Sequence, residues 1–184
     1  MILPAHYFVG IRMPEKVRPF AARYQKDLKL DTRYKAIPHP EDLHVTLYFI
    51  GSCDEDKIDG LSAGLRDVAR SHAPFTVGMD RVDFFGSPRG PRVVYLGFSE
   101  NRPLQTLQKD VSGTVHDKLG LSSSRDRFTP HVTIAKKKKT EEPISLSPEP
   151  FDPCLITVDS FQLFEIHPAQ SPKYVALETF KLGG

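Results

Sequence analysis

The chain has 184 residues, 39% of them hydrophobic and 26% charged, which suits one domain with a buried core and excludes a disordered tail. Its 25 Lys and Arg against 23 Asp and Glu leave a net charge of +2, which admits an anionic substrate but falls short of what bulk duplex binding needs. Two cysteines, Cys53 and Cys154, exclude a disulfide framework or a four-cysteine zinc site and point to a reducing, cytoplasmic setting.

Residues 1–12 carry no early basic residue, and Pro4 and His6 break their apolar run, so they do not read as a secretory leader. No segment approaches the ~18 apolar residues of a membrane span. The chain therefore reads as soluble and intracellular, with no membrane partner. Aromatic and β-branched residues predict a strand over 6–12. Pro14 then opens a helix over 15–30, with Val17, Phe20, Ala21, Tyr24 and Leu28 three or four apart. The Pro-rich 37–40 is a turn that leaves His39 exposed. A dense apolar run predicts a buried strand over 43–50, closed by Gly51. Asp54 caps a helix over 54–71. Strands follow over 75–85 and 93–98, separated by a loop of turn formers. Asn101 caps a third helix to 119, which Gly120 stops. A short strand covers 131–135, a polar Pro-rich loop 136–153, and two strands, 155–166 and 174–181, finish the chain. The mixture predicts an α+β fold with mainly antiparallel sheets.

An internal repeat organises these elements. His44-Val45-Thr46-Leu47 recurs 87 positions later as His131-Val132-Thr133-Ile134, and Phe8-Val9-Gly10-Ile11 aligns with Tyr95-Leu96-Gly97-Phe98 at the same offset. Residues 1–184 are thus expected to form one domain of two duplicated, pseudo-symmetric αβ lobes. Each has a mainly antiparallel sheet with helices outside, and the matched strands face each other across a central cleft.

In a strand, alternate side chains share a face. His44 and Thr46 therefore point one way while Val45 and Leu47 enter the core, and the same holds for His131 and Thr133. Two imidazoles and two hydroxyls would form a near-symmetric square in the cleft. One neutral imidazole can take a proton from an attacking oxygen while the other, protonated, gives one to the leaving oxygen. Threonine hydroxyls can hold non-bridging oxygens. A phosphodiester supplies two in-line and two equatorial oxygens, which is what the square asks for. Which histidine is acid and which base does not follow from two nearly symmetric halves.

These motifs resemble those of the two-histidine (2H) phosphoesterase superfamily, and within it the RNA 2′,3′-cyclic phosphodiesterases, also called 2′-5′ RNA ligases. Both H-x-T-x motifs are intact, and Pro40-Glu41-Asp42-Leu43, Tyr48-Phe49-Ile50-Gly51 and Phe128-Thr129-Pro130 resemble the family's flanks. The resemblance implies hydrolysis of RNA 2′,3′-cyclic phosphate ends to 2′-phosphates without metal, ATP or other cofactor, and reverse 2′-5′ ligation. It implies His44 as proton donor to the leaving O3′ and His131 as the base that activates water. Thr46 and Thr133 would bind the phosphate. Lys136 stands where many relatives place arginine; lysine keeps the charge without the bidentate geometry. A monomer is expected, because one chain supplies both sides of the cleft. The alternatives are a 2H phosphodiesterase for another small cyclic nucleotide or a 2′-5′ oligonucleotide, or a module that binds a nucleotide or RNA end without turnover. Two titrating residues speak against pure binding.

Other residues carry less. The four lysines at 136–139 are a solvated loop or an RNA-backbone contact with Lys136 nearest, and Arg125 and Arg127 can serve likewise. Tyr7, Phe8 and Tyr34 can stack a base, although each alone reads better as core. Cys53 and Cys154 are isolated, the serines at 122–124 form a loop, and no metal-ligand spacing, G-x-S-x-G or phosphate-binding P-loop occurs.

Overall fold

The computed structural model describes residues 4–121, 127–139 and 141–183. Its strands are β1 (His6–Arg12), β2 (Tyr34–Ala36), β3 (His44–Ser52), β4 (Phe75–Ser87), β5 (Gly90–Phe98), β6 (His131–Lys138), β7 (Glu149–Val158), β8 (Ser160–Ile166) and β9 (Tyr174–Lys181). Its helices are α1 (Arg18–Asp27), α2 (Leu30–Arg33), α3 (Glu55–Arg70) and α4 (Arg102–Leu119). The strands hydrogen-bond in the order β7-β4-β5-β6-β3-β1-β8-β9, with β2 added beside β6 and every pairing antiparallel.

This order is symmetric about the β3–β6 seam. Outward from it run β3, β1, β8 and β9 on one side, and β6, β5, β4 and β7 on the other. The motif strands are innermost, and the repeated strands β1 and β5 come next. Helix α1 follows β1 as α4 follows β5, and the α+β expectation with antiparallel pairing holds; in place of two sheets whose matched strands face each other across a cleft there is one continuous sheet, because the motif strands hydrogen-bond to each other. The motif strands join side by side at the seam, where Val45 pairs with Val132, and so form the floor of the cleft.

The core-facing motif residues Val45, Leu47, Val132 and Ile134 are all buried. Helix α4 presents Leu104, Leu107, Val111 and Val115 to the core at helical spacing. Burying each of these side chains stabilises the fold by roughly 1.5–3 kcal/mol. Asn101 does cap α4, its side chain accepting from the Leu104 amide at 3.0 Å, and Gly120 ends it at φ 68°. Asp54 precedes α3 without a side-chain cap bond. Gly10 is needed for close packing: a Cβ there would lie 2.8 Å from the Val45 carbonyl oxygen.

Three expectations from the sequence need correction, and one strand was not expected. The helix over 15–30 is a short 3₁₀ turn at 15–17 followed by α1 and α2, because Lys29 adopts φ 51° and turns the chain so that Leu30 is buried. Residues 155–166 are not one strand. The chain breaks at Asp159, β7 pairs with β4 and β8 with β1, so consecutive stretches serve opposite halves. The loop over 136–153 is shorter, since β6 runs to Lys138 and β7 begins at Glu149. Strand β2 was not foreseen; three residues carry too little pattern to announce a strand.

Candidate active site

The alternation expected of the two motifs is present. His44, Thr46, His131 and Thr133 are half-buried, while the residues between them are buried. With Val45 opposite Val132 in antiparallel register, His44 lies across from Thr133 and Thr46 from His131. The histidines therefore occupy one diagonal of the square and the threonines the other. Diagonal positions on neighbouring strands stand roughly 7–8 Å apart, which leaves room for a phosphorus centre between two imidazoles.

Each ring is held by the same device. His44 donates from Nδ1 to the Asp42 carbonyl oxygen at 2.7 Å, and His131 from Nδ1 to the Thr129 carbonyl at 2.8 Å. A carbonyl can only accept, so Nδ1 carries the proton and Nε2 is the atom free to exchange one. His44 Nε2 lies 2.9 Å from the Thr46 hydroxyl. Aromatic walls fix the ring planes. Phe8 and Tyr174 lie 4.7 and 5.0 Å from His44, while Phe85 and Tyr95 lie 4.9 and 5.3 Å from His131. Phe8 and Tyr95 are the residues that the 87-position offset pairs.

Burial disfavours the imidazolium of both rings. His44 is pushed down from 6.5 to about 4, chiefly by desolvation; the Asp42 carbonyl opposes this and nearby His131 adds to it. His131 is lowered by burial against the opposing Thr129 carbonyl. Lys136 is lowered by burial and by Lys173 and Lys137.

Two β-bulges decide what else enters the cleft. Tyr48 and Thr46 pair with consecutive residues of β1, leaving Leu47 extra; Ala135 and Thr133 do so with β5, leaving Ile134 extra. These are equivalent motif positions. A bulge reverses the alternation beyond it. Phe49 and Lys136, themselves 87 positions apart, are thereby placed on the cleft. The carbonyls at the bulges are taken by glutamines: Gln108 of α4 donates to Leu47 at 3.1 Å and Gln25 of α1 to Ile134 at 3.0 Å.

The cleft has two halves. The smaller, about 300 Å³, includes His44, Thr46, Thr133, Lys136, Phe49 and Tyr174. The larger, about 840 Å³, includes His131, Thr46, Phe49, Lys109, Arg127 and Phe128. Asp42, 3% exposed, supports the smaller half, its carboxylate accepting from the backbone N–H of Lys173 and Tyr174 at 2.9 and 3.2 Å. Arg12 donates to the carbonyls of Glu41 and Tyr174 and so ties the same two segments together.

Of the lysines at 136–139, Lys136 lines the cleft, while Lys139 donates to the Asp31 carbonyl at 3.0 Å. Tyr7 and Tyr34 are at most 1% exposed and belong to the core, and Phe8, 2% exposed, borders the smaller half with its ring against His44, so none of the three presents an open face to a base. His39 is half-buried, not exposed, and its Nδ1 accepts from the Glu41 amide. Arg125 and the serines at 122–124 lie outside the described residues. Among the described residues, no three His, Cys, Asp or Glu side chains gather as metal ligands, and no helix is long and apolar enough to cross a membrane. Sequence reasoning missed Asp42, Tyr174, Gln25, Gln108 and Phe49. Of these only Phe49 sent a signal, an aromatic two residues past a motif that the bulge then turned outward.

The family model of the 2′-5′ RNA ligase superfamily matches residues 13–169. The chain belongs to that superfamily. A Bacillus subtilis relative, named RNA 2′,3′-cyclic phosphodiesterase, is 32% identical over 96% of both chains. Among solved structures, TT0787 of Thermus thermophilus superposes with a TM-score of 0.81 at 26% identity, covering 97% of this chain and 98% of that one. Escherichia coli LigT complexed with 3′-AMP also superposes at 0.81, with 23% identity over 98% and 99% of the chains, and shares the fold.

Proposed function

We propose that this chain hydrolyses RNA 2′,3′-cyclic phosphate ends to 2′-phosphates by two-histidine acid–base catalysis. The observation that carries this reading is the pair of diagonal imidazoles, each with Nδ1 pinned by a carbonyl, which leaves Nε2 as the nitrogen that exchanges a proton, that of His44 beside the Thr46 hydroxyl. The name and extent of the Bacillus subtilis relative support the substrate class. Water attacks phosphorus opposite O3′. Its proton passes to His131 Nε2, a P–O bond forms, the P–O3′ bond breaks, and His44 Nε2 delivers its proton to O3′. Solvent then restores both protonation states. Thr46 and Thr133 hydrogen-bond the equatorial oxygens, and Lys136 balances their charge. With a 5′-hydroxyl in place of water, the same step forms a 2′-5′ bond. The chain acts as one domain of two duplicated lobes, as a cytoplasmic monomer, since a single chain supplies both histidines and both cysteines are free.

The test is turnover of an RNA with a 2′,3′-cyclic end in the presence of EDTA. The wild type turns it over, and His44→Ala and His131→Ala each lose ~10²–10⁴-fold. A nitrophenyl ester, whose leaving group needs no proton, rescues His44→Ala and not His131→Ala; the opposite pattern exchanges the roles. Near-normal rates for both variants on the cyclic end, or activity that EDTA abolishes and zinc restores, would refute the mechanism.

A further inference from the structure

Two lysines share the smaller half of the cleft. Lys136 enters it from β6 and Lys173 from the foot of the β8–β9 turn, and both line it beside His44, Thr46 and Thr133. Lys173 depresses the basicity of Lys136 more than its chain neighbour Lys137 does, so the two ammonium groups face the same space. The backbone of each lysine is pinned. Lys173 donates its N–H to the Asp42 carboxylate at 2.9 Å and accepts from the His167 amide at 2.7 Å. Lys136 pairs with Ala36 of β2 on one side and with Val93 of β5 on the other. Among the described residues, neither ammonium forms an ion pair. Asp42, the one carboxylic acid residue lining this half, has both oxygens engaged by the N–H groups of Lys173 and Tyr174. Two half-buried like charges without a counter-ion repel each other, and a bound anion relieves that repulsion.

We propose that Lys173 is a second phosphate-binding residue beside Lys136, and that the pair favours a phosphoryl group with two negative charges over one with a single charge. This rests on the functional reading above. A lysine is a point charge without the forked donors of a guanidinium, so two lysines from separate segments supply what one arginine would. The cyclic diester arrives with one negative charge. When water adds and gives a proton to His131, the phosphoryl group carries two until His44 protonates the departing O3′. The second ammonium therefore acts most strongly in the transition state. The 2′-phosphate product, doubly charged above its second pKa of about 6, is the stable molecule with the same charge.

The test measures kcat and KM for a cyclic mononucleotide, and the affinity of a nucleoside 2′-phosphate by calorimetry at about pH 8, where that ligand is doubly charged. Lys173→Gln lowers kcat/KM by about 10–100-fold, mostly through kcat, and weakens the 2′-phosphate by a similar factor. Lys173→Arg restores most of both. Lys173→Gln melts with the wild type, because the pinned N–H and carbonyl remain. In a Lys136→Arg background the loss from Lys173→Gln shrinks by at least about threefold, since a guanidinium at 136 reaches two oxygens by itself. Four results overturn the pair and leave the hydrolase reading intact: unchanged kcat and 2′-phosphate affinity in Lys173→Gln, a loss carried by KM alone, a loss that Lys173→Arg does not restore, or a loss undiminished in the Lys136→Arg background. A wild type that binds the 2′-phosphate through Lys173 yet hydrolyses no cyclic end overturns the hydrolase reading and keeps the pair.

Discussion

His44 should titrate near pH 4 in the free protein and several units higher once a phosphate occupies the site. The gap between its ordinary 6.5 and about 4 corresponds to roughly 3 kcal/mol against the imidazolium, set mainly by burial among Phe8, Phe164 and Tyr174. A phosphate carrying one negative charge about 4 Å away, at an effective dielectric of 20, returns ~4 kcal/mol. That offsets the burial and brings the imidazole back to about 7, where it can serve as an acid. Nuclear magnetic resonance of the imidazole C–H protons, with and without saturating nucleoside 2′-phosphate, checks this directly. The kinetic counterpart is an alkaline limb of kcat about two to three pH units above that of kcat/KM, because the first reports the complex and the second the free enzyme. Stability carries the matching sign. The folded value is depressed, so between pH 6.5 and about 4 the unfolded chain binds a proton that the folded chain refuses. Stability therefore falls as the pH drops through that window and levels off below it. A His44 signal that titrates near 6.5 in the free protein and does not move with ligand would refute the reasoning.

Thr46→Ala and Thr133→Ala should each cost ~1–3 kcal/mol of transition-state stabilisation in kcat/KM, and the serine variants less; full turnover by both alanine variants would remove the threonines from the phosphate site. Asp42→Ala should lower stability by ~1–3 kcal/mol in urea melts, because two backbone N–H groups lose their acceptor; Asp42→Asn should recover part of it through its remaining oxygen, and an unchanged midpoint for Asp42→Ala would count against the anchor. Gln108→Ala and Gln25→Ala should each destabilise by ~0.5–1.5 kcal/mol, seen by the same melts, since each removes the donor to a bulge carbonyl; neutrality at both positions would mean that water replaces them without loss.

The sequence alone determined which side chains share a face. Period-two alternation put His44 and Thr46 on one side of a strand and Val45 and Leu47 on the other, and it needs no knowledge of neighbours. The offset of 87 identified the equivalent strand and aligned Phe8 with Tyr95, though that these two rings pack on the imidazoles showed only in the structure. Caps and stops such as Asn101 and Gly120 were legible for the same reason, because they act within a few residues.

Tertiary structure decided everything that depends on which strand lies beside which. Residues 155–166 read as one strand in the sequence, and the break at Asp159 shows only in the pairing, β7 with β4 and β8 with β1. The diagonal placement of the histidines follows from a single long-range pair, Val45 with Val132. The bulges at Leu47 and Ile134 arise from the mismatch between each motif strand and its neighbour, and they reverse the alternation that the sequence implies for Phe49 and Lys136. Burial, and with it the depressed basicity of His44 and His131, is likewise a sum over contacts from β1, β4, β5, β8 and β9. A local pattern fixes where a side chain points relative to its own strand; what it meets there is set by segments distant in the chain.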